Sequence, residues 1–183
     1  HIKKDKSVYQ LAVEVSKSLP ETRKKIIDDF FKSVTITLRT NLSDKWVIET
    51  KDGLLTKNGF PFRIYKKKWG KEKLLFGFEF NKDDYYNGYF GIVRSNKKVD
   101  IKKDIITKFK SEISMINLEM NSEGWWLYWE WLPMKNELVD FSECILFNEG
   151  FEKKFIQRIK YLIEIFEDKS GLLSNINDYI SEQ

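Results

Sequence analysis

Apolar and polar residues alternate in two aromatic runs of this chain, LLFGFEF at Leu74–Phe80 and GWWLYWEW at Gly124–Trp131, each with one glutamate inside it. A period of two belongs to a strand with unlike faces, so both runs predict strands of an antiparallel sheet. KWVIETK at 45–51, PFRIYKK at 61–67 and NGYFGIVR at 87–94 add three more, and Pro133 stops the strand Trp125–Leu132. Asp52-Gly53 and Asn58-Gly59 are strong turn signals, Gly70 turns the chain within 68–73, and Asn81–Tyr85 turns it again, with Asp83 and Asp84 as turn formers. Strands joined by such short loops pair with their sequence neighbours, which predicts a meander.

Helical spacing takes over on either side. Tyr9, Ala12, Val13, then Ile26, Ile27, Phe30, Phe31 and Val34 recur at three and four between Ser7 and Arg39. Pro20 predicts a break there, with Ser18 capping a second helix, because proline suits a first turn and not an interior. Ile101, Ile105, Ile106, Phe109, Ile113 and Ile116 predict a helix lying across the sheet, and Ser142–Phe147 reads as a short strand. Phe151, Phe155, Ile159, Leu162, Ile163 and Phe166 form one stripe of a C-terminal helix that Gly171 ends. The expected fold is α+β, an antiparallel meander of about five strands with helices packed on one face. It forms a single domain over 1–183: N-terminal helices at 1–40, the sheet with one inserted helix at 45–147, and C-terminal helices at 148–183. Any boundary falls near Arg39–Asp44, and no repeat or low-complexity linker interrupts the chain.

Composition narrows the chemistry. With 183 residues, 42% hydrophobic and 33% charged, the chain can bury a sizeable core. No apolar stretch approaches the roughly 20 residues of a spanning helix, so no membrane association is expected. Cys144 is the only cysteine, which excludes an intramolecular disulfide and fits a reducing, cytoplasmic setting. The chain opens on His1, its only histidine, and reads as a fragment with a terminal remnant. Without an internal histidine, a zinc site, a Ser-His-Asp triad or a Cys-His pair cannot be assembled within it. No metal or cofactor is expected, and catalysis by this chain alone is not.

Three clusters remain as candidates. Arg63, Lys66, Lys67, Lys68 and Trp69 combine cations with a ring, as a nucleic-acid strand requires for phosphate contact and base stacking. The plainer reading is a solvated edge protected by lysine. Glu79, Trp126, Tyr128 and Glu130 are expected to share the less hydrophobic face of the sheet as a ligand or partner groove. Gly77, Gly88 and Gly91 there would allow close approach of a ligand or backbone, or simply accommodate large rings. Glu79 and Glu130 could divide acid and base roles only if their environments separated them. Glu49-Thr50-Lys51 has the E-x-K form of a metal-dependent nuclease strand, but the upstream sequence offers only Asp44 as a partner.

Trp69, the Phe78-Glu79-Phe80 strand, Gly91-Ile92 and the Trp-rich strand, in this order of elements, resemble the region following the nuclease core in a bacterial group of PD-(D/E)XK nuclease superfamily proteins. The resemblance covers nearly the whole chain and carries over no catalytic residue, since the metal-binding aspartate is missing. It implies a noncatalytic recognition or accessory domain, associated with a nuclease-like protein of bacterial or phage defence, with nucleic acid or an N-terminal nuclease domain as partner. The alternatives are a protein-interaction or assembly module, in which exposed aromatics pack on a second chain, and a metal-dependent nuclease remnant built on Glu49 and Lys51.

Overall fold

The computed structural model describes residues 2–50, 62–70, 73–80, 85, 87–95, 101, 103–115, 126–132 and 140–181. Lys51, both Gly-containing turns at 52–59, Asp83, Asp84 and Pro133 lie outside them. Helix α1 (Ile2–Asn41) leads into strands β1 (Trp46–Thr50), β2 (Phe62–Lys66), β3 (Leu74–Phe80) and β4 (Gly88–Arg94). Helix α2 (Lys103–Met115), strand β5 (Trp126–Leu132) and helices α3 (Phe141–Phe147), α4 (Phe151–Ile163) and α5 (Leu172–Ser181) complete the order. The sheet runs β1-β2-β3-β4-β5 with every neighbour antiparallel, so the fold is α+β and the expected meander is what forms.

Register decides which residues face the helices. Ile48, Ile64, Phe76, Ile92 and Tyr128 stand in one row across the sheet, and Phe62, Phe78, Phe90 and Glu130 in the next. Helix α1 lays Ile27, Phe31, Val34 and Leu38, all fully buried, on this face at spacings of four, three and four. Phe31 meets Phe78 at 4.9 Å and Phe62 at 5.4 Å, while Phe141 of α3 and Phe155 of α4 reach Phe78 at 5.5 and 5.9 Å. Inclined ring contacts of this kind add about 0.5–1.5 kcal/mol each beyond the area they bury.

Two elements differ from expectation. Pro20 does not divide the N-terminal segment: α1 is one helix of 40 residues with Pro20 inside it. The proline withholds its amide from the Ser16 carbonyl, yet the apolar positions keep phase across it. Nearby, the Ser18 hydroxyl donates to the Val15 carbonyl at 3.0 Å and Thr22 to that of Ser18 at 2.9 Å. Ser142–Phe147 is not a strand but lies within α3, because Asp140 caps it. The Asp140 carboxylate accepts from the Ser142 amide at 2.9 Å and the Ser142 hydroxyl at 2.6 Å.

Helix α2 is held from the C-terminal side, its Phe109 stacked on Phe166 at 5.8 Å. Beyond α4 the helix widens into a π-helical segment, Glu164–Lys169, and Gly171 in the left-handed region (φ 62°) ends it as expected. Gly91 permits the close approach of β5, since a Cβ there would lie 2.0 Å from the Tyr128 carbonyl oxygen. Gly88 likewise makes room for the Phe78 ring. Gly91→Val is therefore expected to lose about 2–3 kcal/mol of stability in urea unfolding, well beyond a surface substitution.

Candidate functional site

The lysine hairpin divides rather than forming one surface. At its end β2 turns through a short 3-10 segment, Lys67–Trp69, and Gly70 (φ 70°) reverses the chain. That turn drives Trp69 inward, where it is 2% exposed, meets Trp46 edge-on at 5.5 Å and donates from Nε1 to the Ser174 hydroxyl at 3.2 Å. Lys66 pairs with the buried Glu167 of the π-helical segment while its ammonium lies 5.2 and 5.8 Å from the Trp46 and Trp69 rings. The same carboxylate accepts the Ser174 amide at 2.8 Å and the Ser174 hydroxyl. Lys67 and Lys68 point outward, with Lys68 3.4 Å from the exposed Asp178. Arg63 stands on the other side of the sheet, opposite Glu49 in β1 and Gly77 in β3.

The expected groove also separates. Glu79 lies opposite Tyr89, whereas Glu130 lies opposite Phe90, adjacent residues whose side chains leave opposite faces of β4. A register shift at Ile92/Val93 then places Trp126, two residues before Tyr128, on the Glu79 face. Glu79 and Trp126 therefore share one face with Tyr89, which contacts Trp126, Trp129 and Trp131 at 5.0, 5.5 and 5.7 Å. Tyr128 and Glu130 share the helix face. There Arg158 of α4 donates to both Glu130 oxygens at 2.6 Å each, and the Tyr128 hydroxyl donates at 2.7 Å. Burial and this hydrogen bond hold the Tyr128 phenol above its ordinary range.

Glu79 is a half-buried carboxyl whose pKa burial raises, against the hydrogen bonds of Tyr89 and Trp126 that lower it. Glu49 accepts from the Tyr65 hydroxyl at 2.7 Å, and burial with Glu49 pushes that phenol up to about 12. No group of three potential metal ligands occurs among the described residues.

Sequence reading missed both the Glu167 clamp and an exposed apolar run on α1. From Lys6 to Thr22 every α1 side chain except Val13 is exposed. Val8, Leu11, Val15 and Leu19 are 63, 61, 53 and 43% open. Positions 8, 12, 15, 19, 22, 26, 30 and 33 continue one stripe down the helix. Its lower end is covered by the chain itself: Phe30 meets Phe141 at 5.6 Å and Phe151 at 5.5 Å, and Ser33 donates to Glu152 at 2.7 Å. Arg23, ion-paired with the buried Asp140 at 2.5 Å, marks where the exposed length of the helix begins. A cavity of about 350 Å³ at the α3–α4 corner, lined by Phe30, Leu146, Phe147, Glu149 and Phe151, adjoins this stripe. The signal was present in the sequence as an unbroken phase across Pro20.

Comparison with protein-family models, with curated proteins and with solved structures gives no match.

Two measurements probe these assignments. Lys66→Ala leaves the Glu167 carboxylate buried without its cation and is expected to cost about 2–4 kcal/mol in urea unfolding, the lower end reflecting the partial exposure of Lys66. Lys68→Ala removes an exposed contact and should change stability by under about 0.5 kcal/mol. For Glu79, the folded carboxyl holds its proton more tightly than the unfolded one, so stability falls as pH rises through the window between the two pKa values. Glu79→Gln should raise Tm at neutral pH, and the gain should vanish toward about pH 3, where the wild-type carboxyl is protonated in both states.

Proposed function

We propose that this chain is a noncatalytic assembly module that contacts another protein chain through the exposed half of α1. The observation carrying this reading is a run of large apolar side chains in the open on one helix: Val8, Tyr9, Leu11, Val15 and Leu19 of α1 are between 43 and 70% exposed. The series covered by α3 and α4 at Phe30 and Ser33 continues through Ile26 and Thr22 to Leu19, Val15 and Val8. Apolar side chains aligned on an exposed helix face are the pattern of a surface that meets a second helix.

The acids singled out in the sequence support a noncatalytic role. Glu49, Glu79 and Glu130 each accept hydrogen bonds from the fold itself. Of the lysine hairpin, Trp69 has no open ring for base stacking, and Lys66 serves the Glu167 clamp. An accessory role beside a nuclease-like protein, as the resemblance implies, then rests on protein contact.

A photo-crosslinking residue at position 15, placed in cells producing the chain, should yield protein adducts. Anisotropy titrations with single-stranded and duplex DNA and RNA at low salt should stay flat. The opposite result, no adduct at position 15 together with saturable, salt-sensitive nucleic-acid binding lost on Lys67→Glu with Lys68→Glu, would overturn this reading in favour of nucleic-acid recognition.

A further inference from the structure

We draw no further inference here: the strongest candidate, the cavity at the α3–α4 corner beside the exposed run Val8–Leu19 of α1, carries nothing because nothing in the structure shows what fills the cavity or covers the run.

Discussion

The packing of Phe31 on Phe78 constrains almost everything else in the molecule. It joins the C-terminal half of the longest helix to the middle strand of the sheet, with Phe62, Phe141 and Phe155 completing the surround. Once α1 is rotated to place Phe31 there, helical geometry assigns the rest. Ile27, Val34 and Leu38 meet the sheet, Phe30 and Ser33 meet α3 and α4, and the same two directions continue above Arg23, where every side chain from Lys6 to Thr22 except Val13 is exposed. The exposed stripe is a geometrical extension of a covered one.

A second constraint acts at the opposite corner. Beyond Ile64 the pairing of β2 with β3 ends, and Leu74 would lose its strand partner there. Asn177 of α5, fully buried, replaces it: its Oδ1 accepts the Leu74 amide at 2.9 Å and its Nδ2 donates to the Leu74 carbonyl at 3.2 Å. Lys66, Glu167 and Ser174 close the same seam from the side. Buried polar groups are tolerated here because each meets a partner, and together they tie the C-terminal segment to the sheet in one arrangement. The lysine density that suggests a binding surface in the sequence is partly the chemistry of this joint.

Strand limits were legible because period-two alternation and glycine-bearing turns report directly on backbone geometry, as at Leu74–Phe80, where expectation and structure coincide. Three features were not. Pro20 carries a strong local signal for a helix start, which the phase of Val15, Leu19, Thr22 and Ile26 overrides. Ser142–Phe147 is too short for periodicity to separate helix from strand, and the deciding Asp140 cap lies just outside it. The faces of Glu79 and Glu130 depend on antiparallel register and on a shift at Ile92/Val93, neither of which alternation within one strand encodes. For the candidate site, Lys66 and Glu167 are 101 residues apart, so their pairing had no local trace.

The projecting half of α1 gains its order from the body. A free helix of that length pays a nucleation cost that leaves it marginal in water, whereas an extension of a docked helix only propagates turns already formed. Arg23 on Asp140 secures the point of departure. Within the extension Pro20 is the weakest residue, since it forfeits a backbone hydrogen bond, and its position is informative. It occupies the series that faces the sheet farther along and leaves the Val8–Leu19 stripe continuous. A proline on the stripe itself would interrupt the line of apolar side chains. Placed where it is, it bears on another face, and the stripe is organised in the isolated chain, which under the proposed assembly role would lower the ordering cost of association.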